Sequence, residues 1–239
     1  MNNKKLAIIG AGIQGICNAL FLQKKGYDVN LFDKEEPGCS ASYGNDGHFS
    51  PYASLQLNRY DVLSDVPSML TNTRGPLALK WNYIPKMIPW LSKFVLNCSQ
   101  KKMMYTAKYM HQILDLSLSA YDELFDEINL DGLVENNGIM YVWENKGIKS
   151  RELEIKIRNE LGIKQKILNK KEVHDLEPNI KPFYSGGVFY EYARHAKNPK
   201  KITQKLFKKF LDNGGKFEKI YIKDINFENK KPILITDKS

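Results

Sequence analysis

An apolar run, Lys4-Lys5-Leu6-Ala7-Ile8-Ile9, leads directly into Gly10-Ala11-Gly12-Ile13-Gln14-Gly15. A helical pattern follows from Ile16 to Lys25 and stops at Gly26. Asp28-Val29-Asn30-Leu31-Phe32 then reads as a second strand ending at Asp33. Strand, glycine loop, helix and strand in this order constrain the chain to open with a parallel βαβ unit. Gly10 supplies the tight turn, Gly12 admits a pyrophosphate to the backbone, and Gly15 lets helix and strand pack closely. The first helical turn, with Ile13 and Gln14, presents unpaired N–H groups and a partial positive charge to phosphate oxygens. Ala19 keeps the same helix face small. Asp33 stands 18 residues after Gly15, placed to bind an adenosine ribose, with Lys34 beside it. These residues leave FAD and NAD both open. An acid at this point argues against NADP.

The rest of the composition bounds the class of protein. The length, 239 residues, allows one large domain or two small ones, and 42% hydrophobic residues supply a core. The net charge is +9, carried by lysine pairs such as Lys24-Lys25, Lys101-Lys102, Lys170-Lys171, Lys200-Lys201 and Lys208-Lys209. No long basic stripe interleaves with aromatics, which argues against nucleic acid as a partner. A lysine-rich face suits an anionic membrane surface or acidic substrates. Cys17, Cys39 and Cys98 have neither metal-site nor C-x-x-C spacing and read as reduced thiols of a cytoplasmic protein. The chain starts directly with a strand and holds no run of about 18 apolar residues. The expectation is a cytoplasmic protein whose membrane contact is at most peripheral, on the inner face.

Further along, Pro37–Ser50 is rich in small residues and reads as a loop able to approach a flat ligand. The aromatic segment from Pro76 to Val95 predicts short amphipathic helices over Leu77–Asn82 and Pro85–Asn97. Core packing is its first reading, and a membrane or partner contact its second. Met103–Ile128 predicts one long helix, and Leu133–Glu135 with Ile139–Trp143 a hairpin across Asn136-Asn137-Gly138. A helix over Ser150–Leu161, a strand at Lys166–Leu168, a helix over Lys170–Leu176 and a strand over Gly187–Tyr192 follow. Asn198-Pro199 is a helix start, and Gly214-Gly215 the stop. Strands at Phe217–Ile222, Asp224–Glu228 and Ile233–Thr236 close the chain. No catalytic triad or metal cluster is present in the sequence pattern.

The stretch Pro37-Gly38 followed by Ser42-Tyr43-Gly44-Asn45-Asp46-Gly47 resembles the corresponding loop of the FAD-dependent D-amino acid dehydrogenases. These belong to the D-amino acid oxidase-like flavoenzyme family. Asp46 replaces the alanine of the family's S-x-x-N-A-G core. Glu177-Pro178, Gly186-Gly187, Asn198-Pro199 and the Trp/Pro/Leu-rich segment around Pro76–Cys98 also fall where relatives have counterparts.

The resemblance implies an α/β fold with an α+β insertion: a Rossmann-like FAD domain, residues 1–55 and 196–239, around a substrate domain, residues 56–195. It implies FAD with its pyrophosphate at Gly10–Gly15, its ribose at Asp33, and its ring against Ser42, Asn45, Gly47 and His48. The reaction implied is hydride transfer from a D-amino acid to flavin N5, giving a 2-oxo acid and ammonia. A respiratory acceptor would take the electrons. His48, Arg194 and His195 are the candidate catalytic residues, and Arg59 and Arg74 further candidates for substrate contact. Tyr190 and Tyr192 read as core, and His111 and His174 as structural. The resemblance runs along nearly the whole chain yet reaches only the first part of the family's length. A strand with an A-T-G-like turn, a late flavin-binding segment, and the usual carboxylate-binding arginine and tyrosine have no counterpart. The expectation is therefore an incomplete FAD domain, weak activity for the chain alone, and a complementing C-terminal chain as a partner. Oxidation of sarcosine, glycine or a cyclic imino acid such as hydroxyproline is the alternative on the same fold. A non-catalytic FAD-binding remnant is the alternative from another class.

Overall fold

The computed structural model describes residues 4–56, 58, 63, 66–71, 78, 80–144 and 151–237. In chain order the elements begin with β1 (Lys5–Ile9), α1 (Ile13–Lys24), β2 (Asp28–Asp33) and β3 (His48–Phe49). Next come α2 (Val66–Thr71), a 3-10 turn (Trp81–Tyr83), α3 (Ile84–Leu96), α4 (Gln100–Asp115) and α5 (Ser117–Phe125). β4 (Val134–Glu135), β5 (Ile139–Trp143), α6 (Glu152–Glu160), β6 (Lys166–Asn169) and α7 (Lys170–Leu176) follow. The last are β7 (Gly186–Tyr190), β8 (Arg194–Ala196), α8 (Pro199–Asp212), β9 (Lys216–Lys219), β10 (Ile222–Glu228) and β11 (Lys231–Thr236).

The chain divides into two compact units, one of residues 1–49, 118–139 and 191–239, the other of 50–117 and 140–190. The segment 118–139 thus lies with the first unit, whereas the resemblance implies that it belongs to the substrate domain. Its Leu124, Phe125 and Leu133 are buried in the first unit's core.

In the first unit β1 and β2 pair in parallel from Lys5 opposite Asp28 to Ile9 opposite Phe32. β9 adds in parallel to the other edge of β2, giving the order β1-β2-β9. One core joins the sheet to two helices. α1 contributes Ile16, Ala19 and Leu20, β2 contributes Val29 and Leu31, and α8 contributes Ile202, Leu206 and Phe210. Each large apolar side chain buried this way stabilises by about 1.5–3 kcal/mol. α8 starts where the sequence predicts: the Asn198 side chain accepts from Lys201 N–H at 2.9 Å, and Pro199 occupies the first turn.

A second small sheet, ordered β3-β8-β4 and antiparallel, has two distinct faces. Phe49, Val134 and Ala196 belong to the core. Their strand neighbours His48, Glu135 and His195 alternate to the other face. β10 and β11 form an antiparallel hairpin, as the sequence predicts.

The second unit holds a sheet ordered β5-β7-β6. α7 starts with a capping box between Asn169 and Glu172 and buries Val173 with Leu168 and Tyr184. Met103 and Ala107 of α4 are buried with Ile157 of α6. Tyr52 stacks face to face on Tyr190, ring centroids 3.7 Å apart, so Tyr190 is a core residue as expected.

Three expectations from sequence need correction. The long helix breaks at Leu116, between α4 and α5. There the Ser117 hydroxyl donates to the Leu114 carbonyl at 2.6 Å, and the two halves enter different cores. β4 and β5 do not form a hairpin with each other. β4 pairs with β8, whereas β5 lies in the β5-β7-β6 sheet, and Gly138 between them has a positive φ of 74°. Longer-range strand partners win over the local turn signal. Finally, α3 buries none of its residues, against the core reading of the aromatic segment.

Candidate cofactor-binding site

The glycine loop is fixed by its neighbours on several sides. Gly10 has φ +109°, a conformation glycine adopts without strain, and its N–H donates to the Phe32 carbonyl at 2.7 Å. Ala11 N–H donates to Asp33 Oδ2 at 2.7 Å, and Glu35 N–H to Oδ1 at 2.9 Å. Gly38 N–H donates to the Ala11 carbonyl at 3.0 Å. At Gly15 the helix meets the loop so closely that a Cβ there would overlap the Gly10 carbonyl oxygen.

α1 begins at an extended Gly12, and no acidic residue lies in its first turn. The N–H groups of Gly12, Ile13, Gln14 and Gly15 lie ahead of the intrahelical ladder, which opens with Ile16 N–H donating to the Gly12 carbonyl at 3.1 Å. Ile13 N–H donates to Ser42 Oγ at 3.0 Å. Ser42 is 6% exposed, and its Oγ stands 3.2 Å from where a Gly12 Cβ would be. A hydroxyl accepting this bond keeps its own proton for donation. Ser42 thus brings an O–H donor to the N-terminus of α1, where an anion is favoured.

The loop after Ser42 is anchored to β8 and α8. Asn45 Oδ1 accepts from Gly47 N–H at 2.9 Å, and Ala196 N–H donates to the Gly47 carbonyl at 2.8 Å. Lys200 Nζ lies 4.8 Å from the Tyr43 ring centroid. His48 and His195 are cross-strand partners whose rings meet edge-on, centroids 5.4 Å apart. Asp46 Oδ2 is 3.5 Å from His48 Nδ1. Asp46, which replaces the family's alanine, therefore sets a carboxylate beside this imidazole.

Arg194 lies on the opposite face of β8 from His195. Its two terminal nitrogens both donate to the Asp122 carboxylate, and the guanidinium holds that carboxyl below the usual aspartate range. The pair is bidentate, the strong geometry for this chemistry. Arg194 and His195 thus do not act as one patch. The Cys17 thiol is pushed up to about 12 by burial, in keeping with a core role.

The structure brings Gly10, Gly12, Ile13, Gln14, Gly15, Asp33 and Ser42 into one cradle, and Asn45, Gly47, His48 and His195 along the adjoining loop and strand. Lys34 is exposed just past Asp33. Arg59 and Arg74 lie outside the described residues. Sequence reasoning missed the Ser42–Ile13 bond, the Asp33 bond to Ala11 and the Asp122 partner of Arg194. Spacing from the glycine motif gave no sign of them.

A family model described as FAD dependent oxidoreductase matches residues 5–232. The chain belongs to this family. It is 30% identical over 235 residues to a D-amino-acid oxidase of Bradyrhizobium diazoefficiens, covering 97% of this chain and 56% of that protein. It is 25% identical over 232 residues to a D-amino acid dehydrogenase of Helicobacter pylori, covering 97% and 55%. The fold matches glycine oxidase from Geobacillus kaustophilus with a TM-score of 0.63 at 15% identity, over 98% of this chain and 52% of that one. It also matches an FAD-bound L-alpha-glycerophosphate oxidase from Mycoplasma pneumoniae, TM-score 0.61 at 15% identity, over 100% and 51%. The chain spans about half the length of the curated relatives it matches.

FAD is the cofactor of this family. The cradle fits its pyrophosphate: helix N–H groups, a hydroxyl donor and a side-chain-free approach at Gly12 converge in one place. Asp33 has a second consequence. Replacing it with alanine leaves the buried Ala11 N–H without its acceptor. The Asp33→Ala protein is expected to lose about 1–3 kcal/mol of stability in urea denaturation as well as FAD affinity. Unchanged stability would mean the carboxylate does not hold the loop.

Proposed function

We propose that this chain contributes the nucleotide-binding part of an FAD-dependent D-amino acid oxidase or dehydrogenase. The observation that carries the reading is the Gly10–Gly15 cradle closed by Ser42 and Asp33. The substrate class rests on the curated relatives, whose names are D-amino-acid oxidase and D-amino acid dehydrogenase. Bound FAD supplies a hydride acceptor at N5, so that a D-amino acid loses its α-hydrogen and the resulting imine is hydrolysed to a 2-oxo acid and ammonia.

The chain's own residues bind and orient. The Gly12, Gln14 and Gly15 N–H groups and the Ser42 hydroxyl hold the pyrophosphate. The Asp33 oxygens each keep a lone pair for ribose hydroxyls beyond their backbone bonds. The backbone of Ser42–His48 would lie along the ring, and His48 and His195 are the imidazoles on that loop and its partner strand. A respiratory acceptor and a complementing chain complete the proposal.

The test is an assay with D-alanine, D-proline and sarcosine, FAD and an artificial electron acceptor. It is run on the chain alone and with a segment covering the rest of its relatives' length. D-amino acids are expected to reduce the acceptor when both parts are present, and to do so poorly with the chain alone. Turnover of sarcosine but of no D-amino acid would overturn the substrate assignment.

A further inference from the structure

From Val66 to Leu114 the sequence carries six lysines and one arginine and no acidic residue. That one segment supplies +7 of the chain's net +9. Within it, the 3-10 turn and α3 expose a set of large apolar side chains: Trp81 (69%), Tyr83, Ile88, Trp90, Val95 and Leu96 (70%). Ile84, Met87, Leu91 and Phe94 on the same helix are only half-buried, and no residue of α3 is buried. Lys86 and Lys93, seven residues apart, form the polar stripe, with Lys86 Nζ 5.8 Å from the Tyr83 ring centroid. α4 adds a second exposed strip, Tyr105, Tyr109 and Ile113, at the four-residue spacing of one helix face.

Water-exposed tryptophan and tyrosine on an amphipathic helix with lysines and no acids are matched by one kind of surface. Apolar side chains enter the acyl boundary, aromatic rings sit at headgroup level, and lysines meet anionic headgroups. We propose that α3, with its preceding turn, docks this protein onto an anionic lipid bilayer, lying in the interface plane. Among the described residues no helix is long and apolar enough to cross a membrane, so the contact is a surface one. A protein partner would equally cover the apolar residues, but the complete lack of acids across the segment favours a uniformly anionic surface. The inference is independent of the FAD reading.

Two of the three tryptophans, Trp81 and Trp90, lie on this face, whereas Trp143 is buried. Intrinsic fluorescence therefore reports on it directly. The experiment mixes the protein with phosphatidylglycerol vesicles or with phosphatidylcholine vesicles and follows tryptophan emission and co-sedimentation. Binding to phosphatidylglycerol with a blue shift is expected, weakened severalfold by about 0.5 M salt, where screening shortens to a few ångströms. Lys86→Glu/Lys93→Glu is expected to weaken it by about tenfold or more, at about 1 kcal/mol per charge. Circular dichroism should show that variant still folded, and Ile88→Ser provides a second probe that keeps the charges. Absence of binding, or equal binding to phosphatidylcholine, would overturn the proposal. So would a concentration-dependent dimer with blue-shifted emission in the absence of vesicles. Loss of vesicle binding when a segment covering the rest of the relatives' length is supplied would overturn it too, in favour of a protein cover.

Discussion

Gly15→Ala is expected to destabilise the first unit more than any other single methyl added to the cradle. The new Cβ would overlap the Gly10 carbonyl group, a backbone obstacle. That obstacle is not the free end of a flexible side chain. Gly10 cannot withdraw easily, because its N–H is bonded to Phe32 and the next residue is bonded to Asp33. Relief therefore requires α1 to move off β1, which opens the core around Ile16, Ala19 and Leu20. Overpacking of a tight site costs about 1–3 kcal/mol, and backbone against backbone belongs at or above the top of that range. A loss of that size is a large share of the roughly 5–15 kcal/mol that holds a typical domain together. The measurement is the urea midpoint of the variant together with its FAD content. A midpoint within experimental error of the parent would contradict the helix–loop contact described here.

Gly12→Val is expected to do the opposite: to spare the fold and remove the cofactor. A Cβ at Gly12 meets only Ser42 Oγ, at 3.2 Å, so the protein accommodates it by turning one hydroxyl aside. The same side chain then stands where the pyrophosphate must approach, and the displaced Ser42 no longer accepts from Ile13 N–H or donates to the ligand. Losing the approach and one donor amounts to about 3 kcal/mol, roughly a hundredfold in Kd. Titration of the variant with FAD, followed by flavin fluorescence, checks this. Parent-like affinity in a folded Gly12→Val protein would take the pyrophosphate away from this loop.

Much of the first unit was legible because its signals are local. The glycine spacing, the Gly26 stop and the apolar run ending at Asp33 specify β1, α1 and β2 without reference to the rest of the chain. The Asn198-Pro199 start located α8 to the residue. What sequence reading lost were matters of partnership. The 3.6-residue periodicity carries smoothly across Leu116, yet the α4 and α5 faces belong to different cores. Val134 and Ile139 each read as strand, but their partners lie far along the chain, Ala196 for Val134 and the Gly186–Tyr190 strand for the Ile139 strand. The same holds in the site. Arg194 looked available for a substrate because Asp122, 72 residues earlier, gives no local hint of pairing with it. Ser42 was placed by resemblance near the flavin ring, whereas its hydroxyl also reaches the helix N-terminus at Ile13. Asp33 marked the ribose position by spacing, and its bond to Ala11 adds a structural duty that spacing could not show. The aromatic content of α3 suggested a core, and only the structure shows how little of it is covered.

The cradle of Gly10–Gly15 and Asp33, with the Ser42–His48 loop beside it, is expected to bind FAD in preference to NAD. Equilibrium titration of the purified 239-residue chain with FAD and, separately, with NAD tests it most directly. FAD is expected to bind with quenching of flavin fluorescence, at least about tenfold more tightly than NAD, a difference of roughly 1.4 kcal/mol. Tight NAD binding with no uptake of FAD would contradict the account.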